Sequence, residues 1–235
     1  MRFEAPLTEG RLLRRYQRFL ADVETAEGLV VVAHCPNTGS LLGCQIPGSR
    51  VWLSRSCNPA RKLAHTWELV EADGVLVGIH TGRSNRLVEE ALAGGVVGEL
   101  EGYRLERREV RYEGSSSRAD LLLSSARGGL AYVEVKNVTA AVSGGIALFP
   151  DAVSSRGTRH LHEMMHVVSR GQRAVLVFCV QRSDVDEVRP ADAIDPTYGR
   201  TLREALAAGV EAVAYRARVS LEEIVLVERV PVVCP

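Results

Sequence analysis

The chain has 235 residues, 46% hydrophobic and 25% charged, with 29 basic and 29 acidic side chains. That composition supports a proper core and excludes a protein that coats nucleic acid through bulk charge. No apolar run approaches the roughly 20 residues that span a bilayer, and "MRFEAPLTEG" has no hydrophobic signal core, so no membrane partner is expected and the location is expected to be cytoplasmic.

Taken in order, the first eighty residues alternate apolar runs with turn signals. "RFLADVE", the turn "TAEG", "LVVVAHC", "PNTGS", "SRVWLSRS", "TWELVEA", the turn "DG" and "VLVGIH" read as short strands with Gly-containing connections. This pattern predicts an OB-like β-barrel over residues 1–81. Charge is uneven within it. No Asp or Glu stands between Gly28 and Thr66, while Arg50, Arg55, Arg61 and Lys62 do, and Arg11, Arg14, Arg15 and Arg18 cluster around Tyr16 and Phe19. Arg14, Arg15, Tyr16, Arg18, Arg50, Arg55, Arg61 and Lys62 are therefore candidate contacts to DNA or RNA, set against the alternative of solvated surface charge. Tyr16, Phe19, Trp52 and Trp67 are candidate base stackers or core rings. The five cysteines (Cys35, Cys44, Cys57, Cys179 and Cys234) include no C-x-x-C pair and read as free, mostly buried thiols.

The grammar changes near Thr81, and a second domain is expected over 82–235. "SNRLVEEALAGG" has Ser84 or Asn85 as an N-cap, apolar residues at helical spacing and a Gly94–Gly95 stop. Strands are predicted at 104–113, 119–125 and 130–138, a helix at 155–170 and the apolar strand "RAVLVFCVQ". A helix in "PTYGRTLREALAAG" and two strands, "VEAVAYRARV" and "EEIVLVERV", close the chain.

Chemistry concentrates in the middle of this second domain. A hairpin turning in "SSARGG" sets Asp120 opposite Glu134, with Cβ atoms ~5 Å apart, a destabilising pair unless a cation lies between them. All-oxygen ligands with positions left to water and phosphate suit Mg²⁺ or Mn²⁺. Period-two alternation sets Lys136 on the Glu134 face, and only two of the chain's basic residues are lysines. Asp120, Glu134 and Lys136 together could polarise a phosphodiester and activate water. The competing reading is an amphipathic strand with a surface Glu and Lys and a strand-end acid.

"RADLL" and "VEVK", in the order helix, three strands, helix, strand, resemble the PD-(D/E)xK nuclease superfamily. Many of its members add an acid from the first helix, which offers Glu89 and Glu90 here; Glu90 is preferred as a third metal ligand. "RYQRFLADV", "AHCPNTGS", "NRLVEEA", "YVEVKNVT", "FPDAVSSRGTRHL" and "RAVLVFCVQRSD" further resemble the sugar fermentation stimulation proteins. The resemblance implies an α+β protein: an N-terminal OB-like β-barrel, then a PD-(D/E)xK nuclease-like α/β domain with a mixed central sheet. It also implies non-sequence-specific DNA binding and regulation of sugar (maltose) metabolism. It makes Asp151, Arg156 and His160 candidates for the cleft border, against a turn or cap role for Asp151 and helix packing for His160. Two functions stay open, a metal-dependent nuclease and a non-catalytic DNA-binding regulator.

A third motif competes. "HEMMH" at 162–166 matches the zinc-peptidase pattern H-E-x-x-H on a helix. His162 and His166 fall with Arg159, Glu163 and Arg170, away from the apolar face of Leu161, Met164, Met165 and Val168. With no third ligand at short spacing, a solvated helix face is the simpler reading.

Overall fold

Inward-facing residues at strand spacing build the N-terminal unit of the computed structural model, which describes residues 1–142 and 144–235. Its strands are β1 (Thr8–Tyr16), β2 (Leu20–Thr25), β3 (Val30–His34), β4 (Arg50–Arg55), β5 (His65–Ala72) and β6 (Val75–Gly78). They pair in the order β3-β2-β1-β4-β5-β6, and β3 also pairs with β5, so five strands close a barrel of the OB type and β6 extends it. Leu12, Ala21, Val23, Ala33, Val51, Leu53, Trp67 and Val70 fill the interior. The expected "DG" turn is present: Asp73 and Gly74 both take positive φ, 53° and 80°, between the paired residues Ala72 and Val75. A two-residue connection of that kind matches the twist of its flanking strands, and Asp-Gly tolerates it.

The second unit begins with α1 (Ser84–Ala93) and continues through β7 (Tyr103–Arg111), β8 (Arg118–Ser125), β9 (Leu130–Val138), β10 (Ala141–Val142) and β11 (Ile146–Phe149). Then come α2 (Ser155–Ser169), β12 (Arg173–Val180), β13 (Glu187–Pro190), α3 (Pro196–Ala207), β14 (Glu211–Val219) and β15 (Ile224–Val230). The main sheet runs β15-β14-β12-β9-β8-β7, with β12 parallel to β9 and β14 and the other neighbours antiparallel. Near-continuous apolar sequence in β12 follows from its central place, buried on both faces. Leu87, Val88 and Ala91 of α1 cover one face through Val133, Val135, Val175 and Val177. Leu161, Met164, Tyr198 and Leu202 of α2 and α3 cover the other through Leu176, Phe178 and Ala214.

Three features depart from expectation. β1 is an added barrel strand where the sequence suggests only a basic cluster, because just Gly10 and Leu12 of its nine residues are buried. β10, β11 and β13, two to four residues each, form a separate small sheet. The N-cap of α1 is Arg83, not Ser84 or Asn85; a 3₁₀ turn at Thr81–Arg83 leads into the helix and places both polar residues in its first turn. Among the described residues, no helix is long and apolar enough to cross a membrane.

Candidate active site

β8 and β9 pair through Leu121 with Val133, Leu122 with Tyr132 and Leu123 with Ala131, the register expected for the hairpin. The ladder stops one residue before Asp120. There the side chain takes over from the backbone: Asp120 Oδ2 accepts from the Val135 N–H at 2.7 Å, and Oδ1 accepts from Asn85 Nδ2 of α1 at 3.1 Å. Asn85 and its neighbour Ser84, in the first turn of α1, both reach strand residues of the sheet. Ser84 Oγ donates to Asn137 Oδ1 at 2.9 Å, which also accepts from Gln181 Nε2, so α1, β9 and the end of β12 are locked together beside the acid.

Glu134 is buried, 3% exposed, and faces α2. Its Oε1 accepts from Lys136 Nζ at 2.7 Å and contacts His160 Nδ1, while its buried Oε2 has no hydrogen-bond partner. His160 reaches it because the inward stripe of α2 runs Gly157, His160, Leu161, Met164 and Val167, rotated from the expected Leu161, Met164, Met165, Val168 face. Tyr112 packs edge-on to the His160 ring and stacks on Tyr132. Burial and the adjacent Glu134 charge push the Asp120 carboxyl above the usual range. Burial also works against ionised Glu134, but His160 and Lys136 outweigh it and hold that carboxyl below its usual value.

Asp120, Glu134 and Lys136 line one cleft of about 480 Å³ between barrel and sheet. Asn37, Thr38 and Gly39 of a barrel loop form the opposite wall with Asp151 and Arg156. Asp151 Oδ2 accepts from the Leu41 N–H, bridging the two units. The cleft contains an unsatisfied buried carboxylate oxygen, a second half-buried carboxylate and no soft donor. Such a set fits a hard divalent cation that keeps water or phosphate oxygens in its remaining positions.

Glu90 does not belong to this set. Half-exposed, it pairs with Arg86 at 2.9 Å and the Met1 amino group at 2.6 Å on the far side of α1, while Glu89 pairs with Arg108. A helical turn separates both from Asn85, the α1 residue that does meet Asp120. Asn85 and Asn137, which line the cleft, and Gln181, which bonds Asn137 from behind, are residues that sequence reasoning misses, because amides carry no motif; their positions, beside the E-x-K strand and at the end of an apolar strand, are the available signal.

The barrel candidates divide. Arg14 pairs with Asp22 and lies over Tyr16, whose hydroxyl donates to Asp22; Arg50 pairs with Glu9 and Glu71 over Trp52. Arg15 is taken up by backbone carbonyls of Arg18, Asn37 and Gly39, each at 2.8 Å, and Arg61 donates to Thr66. Arg18, Arg55 and Lys62 are exposed, as is Phe19 at 45%, whereas Trp52 and Trp67 are core residues. His162 and His166 are exposed on α2, and among the described residues no cluster of three or more His, Cys, Asp or Glu side chains could hold a metal ion.

An OB-type barrel followed by a PD-(D/E)xK nuclease-like α/β domain, with the motif acids in the cleft between them, defines the class of protein. Comparison with known proteins narrows it. Residues 13–79 match the SfsA N-terminal OB domain, and 82–223 match the sugar fermentation stimulation protein RE domain. A sugar fermentation stimulation protein homolog of Thioalkalivibrio sulfidiphilus is 64% identical over 219 residues, covering 93% of this chain and 92% of the relative. That of Geobacter metallireducens is 60% identical over 233 residues, covering 99% and 100%. The solved structure of Pyrococcus furiosus SfsA in complex with Ca²⁺ superposes with a TM-score of 0.89 at 30% identity, covering 99% of this chain and 98% of the other. The chain belongs to the sugar fermentation stimulation protein family.

Proposed function

We propose that the protein binds DNA without sequence specificity and hydrolyses phosphodiester bonds in the cleft between its units, with Mg²⁺ or Mn²⁺ held by Asp120 and Glu134. The observation that carries this reading is the unpartnered buried oxygen of Glu134 beside a second, ionisation-resisting carboxylate. The Ca²⁺ complex of the Pyrococcus furiosus relative supports it, since calcium and magnesium share a preference for oxygen ligands. A bound divalent ion supplies Lewis acidity and lowers the pKa of a coordinated water. Asn85 and the Val135 N–H fix the Asp120 carboxylate, and His160 fixes that of Glu134. Lys136 sets a compact positive charge at the cleft wall, where negative charge develops on a phosphate under attack.

One observation favours a second reading, a non-catalytic DNA-binding regulator: Glu89 and Glu90 are engaged elsewhere, leaving two carboxylates at the pair. The test incubates labelled single- and double-stranded DNA and RNA with wild type, Glu134→Ala and Lys136→Ala in Mg²⁺, Mn²⁺ or EDTA. Nuclease action gives metal-dependent cleavage reduced at least a hundredfold in both variants, about the loss from removing one preorganised charge. Binding without cleavage under every condition leaves the regulator.

A further inference from the structure

The cleft is not the only concavity next to Glu134. A smaller one of about 290 Å³ lies between the start of β8 and the first two turns of α2, lined by Ser117, Arg118, Arg156, Arg159 and His160, with Glu109 as its acid. Arg156 borders both concavities, so they meet at that side chain.

Among the described residues, its three arginines are free of carboxylates where several others nearby are not. Arg108 is paired with Glu89, Arg170 with Glu113 and Arg173 with Glu211. Arg118, Arg156 and Arg159 are exposed, and none pairs with a carboxylate among the described residues. Arg156 uses only its Nε, which donates to His160 Nε2 at 3.4 Å, so its two terminal nitrogens are open to a ligand. Arg156 stands in the first turn of a 15-residue helix, whose positive dipole end adds to its charge.

We propose that Arg118, Arg156 and Arg159 form a phosphate subsite that grips the DNA backbone beside the bond held at Asp120 and Glu134. Guanidinium forks match phosphate oxygens two at a time, and a hollow in which three of them converge suits a phosphodiester better than a point contact. The subsite rests on the DNA-binding half of the proposed function and is independent of cleavage. It moves the electrostatic centre of binding from the barrel, where Arg14, Arg15, Arg50 and Arg61 are occupied, to the junction of β8 and α2.

Binding is measured in EDTA, where metal-dependent turnover is absent, by fluorescence anisotropy of a short labelled DNA duplex across a potassium chloride series. Replacing all three arginines by alanine is expected to weaken binding by more than about tenfold at low salt. The slope of log affinity against log salt should shrink by about two to three, close to one for each phosphate left without its arginine. Arg127→Ala, at the turn between β8 and β9 at the other end of the hairpin, removes one exposed charge and is expected to leave the affinity within about twofold. Arg118→Gln and Arg159→Gln, made singly and checked by circular dichroism, each shrink the slope by about one and cover misfolding of the triple variant. An unchanged slope in both single variants overturns the subsite, as does an Arg127→Ala loss equal to theirs. Inorganic phosphate is expected to displace the duplex from wild type beyond the effect of chloride at equal ionic strength, and displacement just as strong from the triple variant overturns the subsite too. Wild type that binds while the variants bind equally well sinks the subsite alone; wild type that binds no DNA sinks the DNA-binding reading with it.

Discussion

Two carboxylates of one cleft carry opposite pKa shifts, and each shift has a consequence in the metal-free protein. Asp120 resists ionisation, so the stability it contributes is fully present below the ordinary carboxylate range and is lost as pH rises through its elevated folded value. Asp120→Asn, with no such loss, is expected to raise the melting temperature of metal-free protein at neutral pH, and that gain should shrink towards acid. Glu134 has the reverse sign. Its stability is present above the ordinary value and lost as pH falls through the depressed one, so Glu134→Gln should lower the melting temperature at neutral pH, leaving Lys136 and His160 with a neutral acceptor in place of a charged one. Thermal melts of the two variants in EDTA across pH check both signs, and parallel shifts would contradict them. At this scale the E-x-K spacing is readable because strand alternation alone places Glu134 and Lys136 on one face. The role of His160 is not, since it depends on a rotation of the buried stripe of α2.

At the scale of elements, the barrel loop over residues 37–41 is held from both sides. Arg15 gathers its carbonyls, and Asp151 receives its Leu41 N–H. A Cβ on Gly39 would lie 2.5 Å from Asp151 Oδ1, so this position needs the missing side chain. Gly39→Ala is expected to cost about 1–3 kcal/mol in urea unfolding by displacing Asp151. Arg15→Ala should likewise reduce stability, by about 1–3 kcal/mol, while leaving the salt dependence of DNA binding unchanged. Periodicity exposes the elements with a strong apolar face, among them β9, β12, α2 and α3. It misses β1, which presents mostly charged residues outward, and the strands of two to four residues in the small sheet, too short to develop a period. The expected third acid likewise falls on the wrong turn of α1: side chains at Glu89 and Glu90 satisfy local arginines, and Asn85 meets Asp120 instead.

For the whole molecule, the cleft exists only because barrel and sheet are clamped together. Arg182, 1% exposed, donates to Asp184, to the Thr139 carbonyl and, across the junction, to Asp73 of the β5–β6 turn. Nearby, Gly78 N–H donates to the Gln181 carbonyl at 2.8 Å, and Trp52 and Leu69 of the barrel share a core with Leu87 and Val88 of α1. Arg182→Ala leaves the Thr139 carbonyl and the partly buried Asp184 without their donor and empties a buried site, and is expected to cost about 3 kcal/mol in urea unfolding. A loss within about 0.5 kcal/mol, as for an ordinary surface change, would mean that the clamp is not holding the units. The two-unit architecture is legible from the change of pattern near Thr81. The clamp is not, because Arg182 and Asp73 are distant in sequence and lie outside any periodic segment.

The central claim is that Asp120 and Glu134 share one divalent cation, and calorimetric titration of metal-free protein with Mn²⁺ addresses it without any substrate. One bound ion per chain is expected in wild type, with affinity reduced at least tenfold in both Asp120→Asn and Glu134→Gln, the lower end expected when a carboxylate that binds or orients a metal is removed. Undiminished binding in the two variants, or no binding to the wild type, would contradict it.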